Sequence, residues 1–373
     1  MKIKCQRNNL LKGLQTVFRA VSTKNTLPSL SGILLVADKD SLTFQATDME
    51  IAIQYREEDF ELEEAGSLVL PGRYFFEIAK KLPDTELSLV VQNHTLMIKY
   101  ENSEIEINGF DPEEFPVLPQ VKGNIRGIFN LETLKQNLRE VIIATSLDES
   151  RPIFTGILME IEQERVNFIA TDTHRLAFKK SAWEFEGEQE KAAVVIPNKI
   201  LQEILKLGGE DNPNIKIFVD ENQICFSVDS SLFISRLIEG KFPGYQQVIP
   251  AEEKIKTRVV VNGNHLLAIL ERATVMSRDQ SGSRIGKVRL QIKGENMVVD
   301  SQSLEVGRIH EELPIYFEGE EMELYLNSRY LLDILKVADD DEIMMDLTGS
   351  MSPLILRRKD DASYLYLALP VKM

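Results

Sequence analysis

The sequence has 373 residues, 43% of them hydrophobic, and a formal net charge of −16. This length predicts two or three domains, each large enough to bury a core of its own. No apolar run approaches the roughly 18 residues of a membrane-spanning helix, and the polar start of the chain argues against a secretory signal peptide. The negative balance disfavours nucleic acid as a partner, although a sum of charges does not tell where the positive side chains lie.

The chain opens with an amphipathic segment, RNNLLKGLQTVFRAV from Arg7, whose apolar residues recur at the spacing of one buried helical stripe. Short alternating runs follow, with a turn at Asp38 to Ser41, and they predict antiparallel strands. Pro71 is suited to the start of a second helix, and three more strand-like runs follow it up to Phe110. The first third of the chain is therefore predicted as a β-α-β-β-β unit written twice.

The same pattern returns twice along the chain. The second helix starts in VLPGRYFFEIAKKL, VIPNKILQEILKL and YLNSRYLLDILKV, a Thr-Asp pair recurs 124 residues apart, and three prolines are spaced by 127 and 127 residues. Because independent markers agree, we interpret the chain as three copies of one unit of about 125 residues. The markers are Pro71, Pro197 and Asn327, then Thr47-Asp48 and Thr171-Asp172 with the degraded third copy MVVDSQSLEVGRI, then Pro116, Pro243 and Pro370.

The predicted fold class is α+β, with antiparallel sheets in three tandem domains. Each domain is predicted to be a twice-repeated β-α-β-β-β unit, because each copy contains two helices separated by alternating runs. Polar stretches separate the copies, so we predict domains at residues 1–123, 124–251 and 252–373.

Motifs of catalysis and metal binding are absent from the sequence. None of the four histidines has a second His or a Cys at ligand spacing, and no phosphate-binding loop or nucleophile elbow occurs. Cys5 and Cys225 lie in alternating patterns and are expected to be buried, reduced thiols of a cytoplasmic protein. The acidic run from Asp339 to Glu342 lacks the spaced ligands of a calcium loop and is interpreted as a solvated turn. We therefore predict no catalytic residue, no metal and no cofactor.

The segment TDTHR from Thr171 superficially resembles an acid–base cluster. Its counterpart at Thr47-Asp48 continues with Met-Glu, so we interpret the shared Thr-Asp pair as structural. Thr and Asp side chains at the end of a strand commonly form hydrogen bonds with the backbone of a tight turn.

Positive charge recurs two residues after the marker of each second helix, at Arg73, Lys199 and Arg329. In an acidic chain this recurrence predicts a basic surface on the helices, with the acids segregated on turns and strand edges. Such a surface binds phosphates without sequence preference, since neither a base-reading helix nor an aromatic stacking platform is predicted. The first helices add further cations on their predicted outer faces: Lys12, Arg19, Lys135, Arg139 and Arg272.

The threefold repeat, the segments ATDMEIAI, ATDTHRLAF and TLPSLSGILL, and the terminal YLALPVKM together resemble the bacterial DNA polymerase sliding clamp, the β subunit, over the whole chain. The resemblance implies a non-catalytic homodimer, closed head to tail into a ring whose helices line a hole around double-stranded DNA. It implies that the ring tethers the replicative polymerase without reading sequence. Further implied partners are the clamp loader, and other polymerases and repair proteins that carry clamp-binding peptides. No membrane is implied, and the location is cytoplasmic, at the nucleoid.

The resemblance also implies three sets of functional residues. Thr173 and Gln247 stand where one familiar form of the family has glycine and arginine. The implied peptide pocket, between the second and third domains, comprises Phe154, Thr171, Thr173, His174, Arg175, Leu176, Pro243, Gln247, Val248, Met351, Pro353, Leu367, Leu369, Pro370, Val371, Lys372 and Met373. The implied DNA-binding residues are Lys24, Arg73, Lys199 and Tyr330, to which we add Arg329 from the recurring cation and Arg151 on the loop beside the pocket. The implied dimer interface comprises Ile105 and Ile107 on an edge strand, and Val275 and Met276 near the first helix of the third domain.

Two alternative functions belong to other classes. A nucleic-acid hydrolase that binds magnesium would need a convergent carboxylate cluster, and none falls at corresponding places in the three copies. A protein-interaction scaffold without DNA would not need Arg73, Lys199 and Arg329 to converge on one concave surface.

Overall fold

In the computed structural model, the third repeat has the predicted order, a β-α-β-β-β unit written twice. The first two repeats have the same order with one additional short strand between the two units, Glu61–Glu64 in the first and Glu184–Phe185 in the second. No helix within the described residues is long and apolar enough to cross a membrane. The structure describes residues 1–22, 27–119, 121, 123, 125–187, 191–208, 213–276, 286–303, 307–338 and 342–371.

Each repeat begins with a strand that leads directly into its first helix. The first repeat contains β1 (Lys2–Gln6), α1 (Arg7–Val17), β2 (Gly32–Ala37), β3 (Leu42–Thr47), β4 (Ile51–Glu57), β5 (Glu61–Glu64), β6 (Gly66–Pro71), α2 (Gly72–Lys81), β7 (Glu86–Gln92), β8 (Thr95–Tyr100) and β9 (Ser103–Asn108). The second contains β10 (Ile125–Asn130), α3 (Leu131–Ile142), β11 (Gly156–Glu162), β12 (Arg165–Thr171), β13 (Arg175–Ala182), β14 (Glu184–Phe185), β15 (Lys191–Pro197), α4 (Asn198–Leu205), β16 (Asn214–Val219), β17 (Gln223–Val228) and β18 (Ser231–Arg236). The third contains β19 (Thr257–Asn262), α5 (Gly263–Met276), β20 (Lys287–Lys293), β21 (Asn296–Ser303), β22 (Gly307–Gly319), β23 (Met322–Asn327), α6 (Ser328–Ala338), β24 (Glu342–Leu347), β25 (Leu354–Arg358) and β26 (Tyr364–Ala368).

Helix α1 forms because its apolar residues face one side and bury against the strands. Leu10, Leu14 and Val17 of the predicted stripe are fully buried. Gly13 lies on the same buried side, where a Cβ atom would come within 2.5 Å of the Phe44 ring on β3. The missing side chain therefore lets the helix approach the sheet closely.

Burial of individual side chains follows the sequence pattern, with one exception. Cys5 and Cys225 are buried, as predicted, and burial raises the pKa of both thiols to about 12, so they are uncharged at neutral pH. The prediction of a surface cation at Lys135 is wrong, because this residue is only 8% exposed. Helix α3 is covered on more than its apolar stripe, since the neighbouring polar residues Asn137 and Glu140 are buried as well.

The described residues form two compact units that do not coincide with the three repeats. A five-stranded sheet (β5-β1-β7-β8-β9) and a nine-stranded sheet (β14-β10-β16-β17-β18-β4-β3-β2-β6) lie in the first unit. A twelve-stranded sheet (β15-β11-β12-β13-β26-β25-β24-β19-β22-β21-β20-β23) lies in the second. Adjacent described strands pair antiparallel, which agrees with the predicted class. The first unit comprises residues 1–132, 184–190 and 199–237, and the second comprises 133–183, 191–198 and 238–373.

One kind of strand pairing joins neighbouring repeats. In the first unit β18 pairs with β4, from Ser231 opposite Tyr55 to Ser235 opposite Ile51. In the second unit β26 pairs with β13, from Tyr364 opposite Lys179 to Ala368 opposite Arg175. In both cases the last strand of one repeat is added to the third strand after the first helix of the preceding repeat. Each junction therefore continues a sheet from one repeat into the next.

Two strand edges of the same kind have no partner among the described residues. β9, the last strand of the first repeat, ends the five-stranded sheet. β22, the counterpart of β4 and β13, pairs with β21 through Gly307–Pro314 and with β19 through Ile315–Gly319. One side of its first half is therefore open. Both segments are largely exposed, so their backbone groups are available to a further strand.

Candidate functional site

A tight turn connects β12 and β13 and carries the predicted pocket residues Thr171, Thr173, His174 and Arg175. The Thr171 hydroxyl donates to the carbonyl of Arg175 (2.6 Å) and accepts the N–H of Thr173 (3.1 Å). One carboxylate oxygen of Asp172 accepts the N–H groups of His174 and Arg175, both at 2.9 Å. These bonds confirm the structural interpretation of the Thr-Asp pair, and they hold Thr173 at a φ of 77° and leave His174 exposed.

The Arg175 side chain is fixed by groups on two elements. Its guanidinium contacts Asp172 (Nε to Oδ2, 2.9 Å) and Asp333 of α6 (Nη1 to Oδ2, 2.5 Å), and it lies 4.5 Å from the centre of the Tyr330 ring. Burial alone lowers the pKa of Arg175, but the phenol of Tyr366 and these carboxylates outweigh burial and raise it. With 13% of its side chain exposed, Arg175 positions the turn against α6.

A buried apolar cluster lies beside this turn. Leu176 on β13 pairs with Leu367 on β26, and the N–H of Leu369 donates to the carbonyl of His174 (2.8 Å). Leu176 and Leu367 are 2% exposed, and Leu369 is partly buried against the same cluster. The structure therefore brings these three predicted residues together. The buried members of the cluster are Leu158, Ile169, Leu176, Val195, Phe242, Tyr245, Ile355, Leu365 and Leu367.

The other predicted pocket residues lie at several further places in the second unit. Phe154 packs edge-on against Phe242, with ring centres 6.4 Å apart. Val248 is 49% exposed, on a short 3-10 turn, and Met351 is 68% exposed, on the turn before β25. The remaining positions are the buried Thr171, the exposed Pro243 and Gln247, the half-buried Pro353 and Pro370, and Val371, whose N–H donates to the carbonyl of Tyr325. Lys372 and Met373 lie outside the described residues.

Sequence reasoning missed two groups that build this groove. Tyr245 packs in the cluster and donates its hydroxyl to Glu160 (2.6 Å), while Asp333 holds Arg175 from α6. Tyr245 stands two residues after the Pro243 marker, so the repeated proline was a usable signal for it. Asp333 had no such signal, because it lies 158 residues from its partner.

The predicted DNA-binding cations fall into two groups. Arg73 on α2 and Arg329 on α6 are exposed, as is Arg151, and no ion pair involves any of these side chains within the described ranges. Lys199 on α4 instead contacts the carboxylates of Asp48 and Glu50, the latter at 2.5 Å. Burial lowers the pKa of Lys199, but the hydrogen bonds that its ammonium donates to these two carboxylates outweigh burial and raise the pKa. Tyr330 is half-buried beneath Arg175, and Lys24 lies outside the described residues.

The predicted interface residues lie at or near open strand edges. Ile105 and Ile107 alternate on β9, where they face Ile98 and Leu96 of β8. Val275, which is 63% exposed, and Met276 are the last two residues of α5, and α5 packs against β21 and β22. Among the described residues, no group of three or more His, Cys, Asp or Glu side chains is placed to hold a metal ion.

Comparison with known proteins identifies the family. The N-terminal, central and C-terminal domains of the DNA polymerase III beta subunit match residues 1–119, 129–244 and 246–372 in that order. The chain belongs to the beta sliding clamp family of DNA polymerase III. The beta sliding clamp of Bacillus subtilis is 35% identical over 382 aligned residues that cover 100% of both chains. That of Staphylococcus aureus is 34% identical over 100% of this chain and 99% of its own.

Solved structures of sliding clamps have the same fold. The crystal structure of the clamp from Bacillus subtilis matches with a TM-score of 0.94 and 34% identity, covering 100% of this chain and 99% of that one. The Pseudomonas aeruginosa subunit matches with a TM-score of 0.93 and 26% identity over 100% of both chains. The comparisons confirm the family resemblance and the fold of three tandem clamp domains.

The contribution of Asp172 to the stability of the turn between β12 and β13 can be tested by substitution. Asp172→Ala removes two backbone hydrogen bonds and the ion pair to Arg175. We expect the free energy of unfolding to fall by about 1 to 3 kcal/mol, because the turn loses both hydrogen bonds and the partly buried Arg175 loses one of its carboxylate partners. Asp172→Asn keeps an acceptor oxygen but loses the charge. Its free energy of unfolding should therefore lie between those of the wild-type protein and the alanine variant. Urea unfolding followed by circular dichroism measures the series, and an unchanged midpoint for the alanine variant would contradict this role of the carboxylate.

Proposed function

We propose that this chain is a DNA sliding clamp, in which two copies close head to tail into a ring around duplex DNA and tether the replicative polymerase. The observation that carries the proposal is the pair of open strand edges, on β9 and on the first half of β22. Membership of the beta sliding clamp family supports the same function.

The open edges are the two halves of one further junction. Within the chain, the last strand of a repeat joins the third strand of the preceding repeat, as β18 joins β4 and β26 joins β13. β9 is the last strand of the first repeat, and the remaining strand of the β4 and β13 type is β22 of the third repeat. A second copy would supply the missing strand, with β9 of each copy on β22 of the other. Two such pairings leave none of these edges open. Each interface joins two different surfaces, β9 and β22, and the two interfaces close the dimer into a ring.

The side chains near these edges suit the proposed interface. Glu104 and Glu106 are exposed on β9, and Arg308 is exposed on the open part of β22. Exposed Val275 lies at the end of α5, which packs on β22, so an apolar contact and a charge pair would accompany strand pairing. The proposed interface thus includes the predicted Ile105, Ile107, Val275 and Met276, with β22 added as the pairing strand.

Contact with DNA is proposed to be weak and directed at phosphates. Arg73 and Arg329 occupy the same position of α2 and α6, and their exposed guanidinium groups have no ion pair within the described residues. Lys199 shares its charge with two carboxylates, which reduces its attraction for a phosphate. Lys24, Arg151 and Tyr330 stay predictions. A ring needs no high affinity, since closure retains the DNA, and weak contacts permit sliding.

Partners are proposed to bind as short peptides in the groove beside Leu176, Leu367 and Leu369. The groove offers apolar walls, exposed Val248 and Met351 at the rim, and backbone groups of the His174 turn. Few atoms of such a peptide are buried, so the affinity should be on the order of micromolar, which permits exchange. The polymerase catalytic subunit, the clamp loader, and other polymerases and repair proteins are the proposed users. We also propose that the protein is non-catalytic and acts in the cytoplasm at the nucleoid.

Topology provides the test of the ring. After loading, the protein should remain on nicked circular DNA and slide off once the same DNA is linearised, because only a closed circle retains a ring. Gel filtration of labelled protein with each DNA form measures the retained fraction. Direct affinity for the duplex should fall steeply with salt, because only phosphate contacts are available. Equal loss from circular and linear DNA would reject the clamp proposal.

Disruption of the interface provides a second test. Ile105→Asp combined with Met276→Asp buries charge in the proposed interface and should yield a monomer of 42.5 kDa by light scattering, in place of twice that mass. Leu147→Asp is a matched control, because this leucine is 93% exposed and away from both edges in sequence. A double variant that stays dimeric at micromolar concentration would place the interface elsewhere.

Truncation provides a test of the groove. Deletion of Pro370 to Met373 should abolish binding of a Gln-x-x-Leu-Phe peptide, because the tail walls the groove next to Leu369. The melting temperature should change little, since the tail's described bond to the body is the Val371 N–H to Tyr325. Calorimetric titration of both proteins, with a scrambled peptide as control, measures the effect. Unchanged affinity in the truncated protein removes the tail from the site.

A further inference from the structure

The turn at Thr47 to Ile51 in the first unit repeats the Thr171 turn bond for bond. The Thr47 hydroxyl donates to the carbonyl of Ile51 (2.7 Å) and accepts the N–H of Met49 (3.0 Å). Asp48 accepts the N–H groups of Glu50 and Ile51, at 3.1 and 3.0 Å. Met49 has a φ of 75°, against 77° for Thr173. The backbone frame of the proposed peptide groove is therefore present a second time.

The strand beside this turn is also equivalent. Ser235 of β18 lies opposite Ile51, as Ala368 lies opposite Arg175, and the N–H of Arg236 donates to the carbonyl of Glu50 (3.1 Å). Arg236 thus occupies the place of Leu369. A cavity of about 180 Å³ opens here, lined by the turn, the end of β18 and residues 116–119. The lining segment begins at Pro116, 127 residues before Pro243 of the proposed groove.

The side chains of this second site differ in a consistent way. Ala52, which is buried, takes the place of Leu176 and deepens the floor, where Ile234 provides the apolar surface. Apolar Ile51 takes the place of Arg175. The exposed Arg236 guanidinium stands at the mouth, and no ion pair or hydrogen bond of this side chain occurs within the described residues.

The acidic residues near the mouth make no ion pair with Arg236 within the described residues. Their carboxylates contact Lys199 instead, and Asp48 also accepts two backbone N–H groups of the turn. The exposed Arg236 guanidinium therefore has no direct ionic partner in this part of the structure. Its surroundings are apolar and exposed, since Met49 is 45% and Val117 95% accessible.

We propose that this site is a second peptide-docking groove, which takes a short linear segment with one aliphatic side chain next to a carboxylate. The aliphatic group fits the cavity over Ala52, whose volume is below the roughly 300 Å³ of sites for whole small molecules. The carboxylate pairs with Arg236, for which a bidentate contact is favourable. A further cavity of about 770 Å³ shares residues 116–119 and Ile234, and its lining offers the flanking chain apolar side chains together with the polar Gln45, Gln54 and Arg56. This proposal rests on the proposed function, because it uses the same backbone turn. It differs in the ligand, which is acidic here and neutral at the first groove.

The chemistry separates the occupants of the two grooves. At the first groove an acidic group would meet Arg175, but that guanidinium already contacts Asp172 and Asp333. At the second groove the free charge is Arg236. A neutral Gln-x-x-Leu-Phe peptide should therefore select the first groove, and an acidic peptide the second.

The probe for the second groove is the peptide fluorescein-Gly-Ser-Gly-Leu-Asp-amide, and its neutral twin carries Asn in place of Asp. Fluorescence anisotropy with the full-length protein should give a dissociation constant on the order of 0.1 mM for the Asp peptide, as few atoms are buried. The Asn twin should bind at least tenfold more weakly, since it loses a charge-assisted contact. Absence of saturable binding of the Asp peptide up to about 2 mM, or equal binding of the twin, overturns the proposal.

Variants locate the binding. Arg236→Glu should weaken the Asp peptide at least tenfold, and Val117→Asp should weaken it too, while Lys39→Glu, a matched change at an exposed lysine of the first unit, should have no effect. Arg236 and Val117 are exposed, so the fold should tolerate both changes, which circular dichroism checks. Deletion of Pro370 to Met373 should leave the Asp peptide unaffected. If that deletion abolishes its binding, the peptide uses the first groove and the proposal is wrong. Failure of the proposed function shows separately, in the Gln-x-x-Leu-Phe titration.

Discussion

Antiparallel strand pairing between repeats is the interaction on which the rest of the molecule depends. It satisfies backbone groups that each repeat alone would leave exposed at a sheet edge. It also places the functional turn, because β26 ends at Ala368 directly opposite Arg175, where β13 begins. The chain that leaves β26 must then run past the turn, and Leu369 does so with a bond to His174. The groove is thus a geometric product of the junction, and so is its counterpart beside β18.

The distribution of charge follows from the same arrangement. A chain of net charge −16 keeps exposed guanidinium groups on α2 and α6, while its junction turns present carboxylates to nearby cations. Asp48 holds Lys199, and Asp172 with Asp333 holds Arg175. Each set of ion pairs fixes a turn. It also partly neutralises a positive charge that could otherwise attract DNA. The acidic residues therefore limit affinity as well as build structure, which suits a protein that retains DNA by enclosure.

Most of the fold could be predicted from local sequence patterns. Helical stripes, alternating runs and the Thr-Asp turn depend on neighbours within a few residues, so their positions could be predicted from the sequence. The ion-pair partners of Lys199 and Arg175 could not be predicted from the sequence. Glu50 lies 149 residues from Lys199, and Asp333 lies 158 residues from Arg175. The fixed repeat spacing also fails locally. Arg236 and Leu369 are equivalent in the structure but lie 133 residues apart, against 127 for the prolines, so counting alone would have paired the wrong residues.

The continuity of β22 has a mechanical consequence. In the first repeat the corresponding path is interrupted between β4, which ends at Glu57, and β5, which starts at Glu61. β22 instead is one continuous strand of 13 residues, about 43 Å long. It begins at the open edge and ends where it pairs with β19. A force that pulls on the open edge is therefore carried by covalent backbone into a second sheet, and the third repeat resists bending as one piece. In the first repeat no single strand spans the two sheets, so the same force must pass through residues 58–60 between β4 and β5.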